Sequence, residues 1–319
     1  MTTTGNILML KIQITILCYL VTLFPAMQES FAQTKIRETQ PTKLGECFEI
    51  KVANAVMQID PTKGGRVRSL MHKNINFLTD STVHSNYYGS ILWLSPESDW
   101  PMSEEIDSKP YSVKVMRNSL VLTSLKDLKT GIVVQKEFSG DKTKDCFTIK
   151  YTITNYSSAI QKIAPWEVTR VHINGIAFFP QGKGNMRGGL LSSMILKNHI
   201  AWFVYDSSKL PLKGDRQIYT DGYEGWLAEM NGRWLLVQQA PEISVEKTAP
   251  NEGEVELYAS PLKEGRGYVE IEHQGEYTSL NPGRSISWEV HWYLRKIPLS
   301  ISPTAGNEAL VNYIRQIIK

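Results

Sequence analysis

The sequence has 319 residues, with 35 Lys and Arg against 32 Asp and Glu and a formal net charge of +3. A charge so nearly balanced, with no basic block or stripe, excludes a nucleic-acid-binding protein. Three cysteines without Cys/His ligand spacing exclude a zinc module, and no phosphate loop or nucleophile elbow is present. Any chemistry therefore falls to Glu, His, Arg or Tyr acting as acid and base, without a metal or cofactor.

Residues 1–32 read as a signal peptide. Lys11 precedes an apolar run from Ile12 to Phe24, followed by Pro25. Ser30-Phe31-Ala32 then puts small residues at the third and last positions before a cut. The run is short for a membrane span, which needs about 20 apolar residues. Leu17 stands before Cys18, where a lipoprotein signal needs a small residue. The expectation is a secreted or periplasmic protein that starts at Gln33 and has no membrane attachment after cleavage. The rival is an uncleaved anchor. Residues 33–44 are polar and read as a disordered leader, and 45–319 as one domain. Nothing in the sequence sets an oligomeric state.

From residue 45 onward the signal is strand after strand. CFEIKVAN, SLVLTSLK, CFTIKYTITN, HIAWFVYD, RWLLVQQA and EVELYAS alternate or are rich in β-branched and aromatic residues. Gly, Asn, Asp and Pro clusters punctuate them at the spacing of an antiparallel sheet protein. Helical periodicity is confined to Asn307–Lys319. The fold class is all-β, a two-sheet sandwich or a barrel, because sheet edges must be closed or covered. Cys47 and Cys146 each open a strand and could pair if those strands are neighbours.

Candidate functional residues follow in chain order. Gly64-Gly65 marks a tight turn, and Arg66 starts the next strand, either on the surface or pointing into a cleft. The stretch from Asn86 to Met102 has little regular pattern but carries Trp93, Trp100 and Glu97. Aromatic side chains on loops stack on pyranose C–H faces while their polar neighbours bond the hydroxyls. Either Trp could equally be core. In Ala164–Pro180, a period of two puts Trp166, Val168, Arg170 and His172 on one face, and Glu167, Thr169 and Val171 on the other. Tyr219–Trp226 is an aromatic, acidic, Gly-broken loop with Tyr223 at its centre. In Tyr268–Gln274, Tyr268, Glu270, Glu272 and Gln274 share one face and His273 the other. Two like charges so close repel, which raises the pKa of one of them. Pro282-Gly283 and an aromatic strand with Trp288, Trp292 and Tyr293 follow.

GGRVRSL, NYYGSILWLSPESDWP followed by APWEVTRV, and EIEHQGEYTSLNPGRSISWEVHW together resemble the galactose-mutarotase-like superfamily, and within it the group called DUF4380. The similarity runs from about Cys47 to Leu294. It implies an antiparallel β supersandwich with a sugar-binding concave face and a carbohydrate as partner. The superfamily also holds non-catalytic domains. Aldose 1-epimerases use a strand glutamate as base and a histidine as acid. Glu272 matches the base position, with Glu270 as the alternative. His172 is the nearest counterpart of the acid. The early His-Gly pair is absent, and His84 is its weak counterpart. Three readings follow: an epimerase-like isomerase, a carbohydrate-binding module without turnover, and a lyase or hydrolase using Glu97, Glu167, Arg170 or Tyr223.

Overall fold

The structure is a computed structural model, which describes residues 40–100, 102–206, 208, 214–260 and 266–319. The expected signal peptide, and residues 33–39 of the expected leader, lie outside the described residues.

The chain builds two antiparallel sheets and crosses between them repeatedly. It opens in the first sheet with β1 (Thr42–Leu44), β2 (Cys47–Val52), β3 (Ala55–Asp60), β4 (Arg66–His72), β5 (Ile75–Asn76) and β6 (Ser90–Ser95). A short helix α1 (Glu104–Asp107) leads to the second sheet and β7 (Ser112–Val115), β8 (Ser119–Thr123), β9 (Ile132–Asp141) and β10 (Cys146–Asn155). The long β11 (Gln161–His172) returns to the first sheet; β12 (Gly175–Pro180), β13 (Met194–Lys197) and β14 (Ile200–Tyr205) go back to the second. Then come β15 (Gln217–Thr220) in the first, β16 (Trp226–Asn231) and β17 (Trp234–Gln239) in the second, and β18 (Val255–Ala259), β19 (Tyr268–Gln274) and β20 (Thr278–Leu280) in the first. Last are β21 (Ser285–Lys296) in the second sheet and helix α2 (Glu308–Ile317). Among the described residues the first sheet has eleven strands in the order β1-β2-β3-β4-β6-β11-β19-β18-β15, with β5 beside β4 and β20 beside β11. The second has ten, in the order β13-β14-β12-β16-β17-β21-β10-β9-β8-β7. This is the two-sheet β sandwich that the alternation predicts. One departure is Thr42–Leu44, expected as disordered leader. It pairs with β2 as an edge strand, and Gly45 at φ +61 makes the turn between them.

Period two explains each strand. In β10, Phe147, Ile149, Tyr151 and Ile153 are buried, and the residues between them face outward. On that outer face Thr152 pairs with Ser287 at 3.0 Å and Thr154 with Ser285 at 2.8 Å. The inward rows form one core between the sheets, where Ile50, Leu92, Val171 and Ile271 meet Ile149, Leu236, Val290 and Trp292. Each such side chain contributes about 1.5–3 kcal/mol by leaving water. The second sheet is apolar on its outer face too, with Phe178, Trp202, Trp226 and Tyr293. Helix α2 covers that face through Leu310, Val311 and Ile314. Asn307 caps the helix by accepting from the Ala309 N–H at 3.0 Å, and Arg315 clamps Glu224 through two bonds of 2.9 and 2.7 Å.

The two strand-opening cysteines are free. Cys47 sits in the first sheet beside Arg68, and Cys146 in the second beside His291. Pairing needs neighbouring strands, and these belong to different sheets. Burial pushes the Cys146 thiol up to about 11.

Several carboxyls are buried in the sandwich. Burial raises the pKa of Glu229, which accepts from the Tyr205 hydroxyl at 3.2 Å, to about 8. In the unfolded chain a glutamate titrates near 4.3. The folded state thus binds the Glu229 proton more tightly, and the stability this gives is present below the unfolded pKa and lost as pH rises through about 8. The thermal midpoint should fall as pH is raised from about 5 to 9, and Glu229→Gln should flatten the upper part of that fall. Calorimetry across pH checks this; an unchanged slope in the variant contradicts it.

Candidate functional site

Three rows of side chains run across the uncovered outer face of the first sheet. Strand register sets them. In one row Val168 of β11 lies opposite Glu272 of β19, Glu272 opposite Glu256 of β18, and Glu256 opposite Tyr219 of β15. The next row is Arg170, Glu270, Tyr258 and Gln217. The third is Trp93 of β6, Trp166 and Gln274. A cleft of about 220 Å3 opens over these rows. Tyr87 and Glu97 reach it from loops, and Glu252 and Tyr268 complete its rim. Ile91, Val168 and the two indoles Trp93 and Trp166 form a small apolar cluster at its floor. The rings of Trp93 and Trp166 meet edge to face at 5.3 Å.

Glu256 and Glu272 are both fully sealed from solvent by their neighbours, at 0% and 1% exposure. Glu256 accepts from the Gly253 N–H at 2.8 Å and from the side-chain amides of Gln274 at 2.7 Å and Gln217 at 2.8 Å. The same Gln217 amide reaches Glu272 Oε1 at 3.4 Å. Burial pushes both carboxyls well above the usual range; the Glu272 charge raises Glu256 further, and the Glu270 charge raises Glu272. Two carboxyls that face each other across paired strands and share the Gln217 amide lose their protons as a pair, in two steps that belong to both.

Arg170 lies in the next row, its Nε 2.8 Å from Glu270 Oε1. Its guanidinium is surrounded by the rings of Trp93 at 5.1 Å, Tyr87 at 5.3 Å and Tyr268 at 6.0 Å. Burial raises the Glu270 pKa, and Arg170 draws it back down.

Besides Arg170 Nε, which is ion-paired with Glu270, four buried polar atoms around this cleft have no hydrogen-bond partner among the described residues: Glu272 Oε2, Arg170 Nη2, Trp93 Nε1 and Trp166 Nε1. Trp166 is close enough to stabilise the Glu272 carboxylate a little, but its N–H closes no bond of ordinary geometry. Folded proteins seldom leave such atoms unpaired, and each costs about 1–3 kcal/mol. One acceptor and three donors converging on an aromatic-walled cleft suit a ligand that carries several hydroxyls.

Of the residues singled out in the sequence, Trp93, Glu97, Trp166, Glu270 and Glu272 line the cleft. Arg66, Asn86 and Arg170 line an adjoining recess of about 310 Å3 that shares Tyr87 and Trp93 with it. Trp100 lines a further recess, also bounded by Trp93 and Trp166. Its indole is pinned to the Lys162 carbonyl at 3.0 Å. Three residues lie elsewhere. Glu167 faces the core, because strand alternation turns it away from Trp166. It accepts from Gln238 at 2.7 Å, Trp292 at 3.0 Å and the Tyr151 hydroxyl, which occupies its oxygens. His172 ends β11 beyond the cleft and bonds the Asn76 carbonyl at 3.0 Å. Tyr223 is exposed and lines none of the three cavities. His84 supports the wall instead: it stacks on Tyr87 at 4.7 Å and accepts from the Asn86 and Tyr87 N–H groups.

Sequence reasoning did not single out Glu256, Gln217 or Tyr258; it reached Tyr219 only as the first residue of the aromatic loop, whereas Tyr219 lines the cleft from β15. Period two in EVELYAS does put Glu256 and Tyr258 on one face. Which strand lies beside them is not written in that pattern.

Comparison with known proteins supports the architecture. A candidate aldose 1-epimerase from Klebsiella pneumoniae superposes with a TM-score of 0.58 at 13% identity, covering 87% of this chain and 85% of that one. A galactose mutarotase-like protein from Lactobacillus casei gives 0.56 at 12%, covering 78% and 100%. A TPR-domain containing protein from Parabacteroides distasonis gives 0.58 at 15%, covering 81% of this chain but 49% of that one. At such identities the likeness establishes a shared mutarotase-like sandwich and no activity. No curated protein matches the sequence. The model of one family, described as a domain of unknown function, DUF4380, matches residues 107–295. That match spans more than half of the chain, which therefore belongs to the DUF4380 family.

Proposed function

We propose that this protein is a carbohydrate isomerase acting at the anomeric carbon of an aldose, with Glu272 and Glu256 as its acid–base pair. The observation that carries the reading is the placement of two buried carboxyls directly opposite each other at the floor of an aromatic cleft. Glu272 Oε2 has no hydrogen-bond partner among the described residues. Trp93 and Trp166 supply the surface on which a pyranose stacks. The ionised carboxylate takes the proton from the anomeric hydroxyl, and the protonated partner gives one to the ring oxygen. The bond between C1 and the ring oxygen breaks, leaving the open-chain aldehyde. Rotation about C1–C2 and reclosure give the other anomer and return both protons, with no change of oxidation state. Glu256 here takes the acid role that the family resemblance implied for His172.

A second reading is sugar binding without turnover. It is favoured by the upward shift of both carboxyls: if the pair keeps both protons at neutral pH, no base is present. The lyase or hydrolase reading is not favoured by the geometry, because Glu167 lies in the core and Tyr223 outside the cleft.

Exchange between α- and β-anomers, followed by NMR at equilibrium or by polarimetry of freshly dissolved aldoses, tests the proposal. Glu272→Gln should lower kcat by about 10²–10⁴-fold while leaving sugar affinity nearly intact, since Gln keeps the shape and loses only the basic site. Trp93→Ala should mainly weaken binding, because stacking acts on ground and transition states alike. A wild type that binds aldoses but never speeds exchange establishes the binding reading instead.

The pH profile is a separate check. Catalysis needs one proton on the pair. Both steps lie above the usual carboxylate range, so kcat should rise with pH as the first proton leaves and fall as the second does. Both limbs should sit above the pH at which a free glutamate titrates. A profile that is flat above about pH 5 contradicts the pair mechanism.

A further inference from the structure

The recess beside the carboxylate cleft has the opposite electrostatic character. Arg66, Arg170 and Lys63 line it, together with Asn86, and it joins the cleft across Tyr87 and Trp93. The two guanidiniums are buried, at 6% and 1% exposure, while Lys63 borders the recess from an exposed turn. Arg66 is held rigidly. Its Nε donates to the Lys63 carbonyl at 3.3 Å, its Nη1 to the carbonyls of Asn86 at 2.8 Å and Tyr88 at 3.3 Å, and the Tyr88 ring packs at 4.4 Å. Burial and the Arg170 charge both push its pKa down. Two like charges are thus brought close in a poorly solvated space.

The negative groups facing this recess do not satisfy that arrangement. Asp60 acts on Arg66 but lies outside the recess and accepts from the Thr62 N–H and hydroxyl at 2.8 and 2.7 Å. Asp107 lines the recess, but its carboxyl accepts from the Ser103 N–H at 2.7 Å and also feels the charge of the buried Lys136. Burial raises the Asp107 pKa to about 7, which weakens it as a counter-charge at neutral pH. Glu270 is committed to Arg170 Nε on the cleft side. Arg170 Nη2 remains buried with no partner among the described residues. A fixed donor and an excess of positive charge are the requirements of an anion site.

We propose that this recess is an anion subsite, and that the sugar taken by the neighbouring cleft carries a negative substituent: a uronate carboxylate, a sulfate ester or a phosphate ester. The pyranose lies over Trp93 and Trp166 with its anomeric end at Glu272, and the anionic group passes Tyr87 to meet Arg170, Arg66 and Lys63. Discrimination comes from the unpaired Arg170 donor, which a neutral hydroxymethyl group satisfies less well than an oxyanion. The inference rests on the sugar-cleft reading given above.

Calorimetric titration of the full chain with D-glucose and D-galactose, their uronates, and their 6-sulfates and 6-phosphates tests it, with inorganic sulfate and phosphate as further probes. Acidic sugars should bind at least about tenfold tighter than the neutral parents, the gain expected of one charge-assisted bond. The uronate, sulfate and phosphate arms identify which anion fits. Lys63→Glu, on an exposed turn, should erase most of that preference and leave neutral-sugar affinity unchanged. Arg66→Gln should act in the same direction, with a thermal melt confirming that it folds. Neutral sugars binding as tightly as acidic ones would overturn the anion subsite while leaving the sugar cleft standing. Inorganic anions that bind in a Lys63-dependent way, with no sugar bound, would support the subsite and remove the sugar reading. If neither acidic sugars nor inorganic anions bind, the subsite is wrong.

Discussion

The pairing of β11 with β19 sets Arg170 opposite Glu270 and Val168 opposite Glu272. Shifting either strand by one residue would turn its row to the other face of the sheet. Glu272 would then enter the core, and His273, which now packs edge-on against Trp288 between the sheets, would face solvent. Register is held because the inward rows are apolar or fully satisfied. Val171, Val269 and Ile271 lie in the core, and Glu167 is saturated by donors from the opposite sheet. Core packing therefore fixes the cleft chemistry one layer above it.

The two sheets treat their outer faces differently, and composition explains why. Phe178, Trp202 and Trp226 on the second sheet would leave a large apolar patch in water, so α2 covers them. The first sheet presents carboxyls, an arginine and indoles in one open cleft. Burying Glu256 and Glu272 side by side opposes folding, since two carboxyls lose their solvation and repel when charged. Three amide donors offset this for Glu256, whereas Glu272 keeps an unpaired oxygen. Such a local cost is retained where a ligand completes the bonding.

Much of the frame was legible in the sequence. Period two in YVEIEHQ places Glu270 and Glu272 together, and the same rule joins Trp166 to Arg170. Faces were harder to read than periods. The alternation separates Glu167 from Trp166 without saying which face is the cleft; Glu167, a candidate for chemistry, points inward, and Trp166 lies at the cleft floor. The deciding factor is a set of donors, Tyr151, Gln238 and Trp292, drawn from two distant strands and a third. Glu256 escaped notice for a related reason. Its neighbour Glu272 arrives through the order β11-β19-β18-β15, which does not follow the chain. His172 shares the parity of Arg170 but ends its strand, where the Asn76 carbonyl captures it.

The account stands on Glu256 and Glu272 behaving as one proton-sharing pair. Carbon-13 NMR of the side-chain carboxyls, assigned with Glu256→Gln and Glu272→Gln and followed across pH, measures this directly. The account predicts that both resonances report the same two steps, both well above the value near 4.3 of a free glutamate, and that Glu272→Gln lowers the pKa of Glu256. Two independent single-step titrations in the ordinary glutamate range would contradict it.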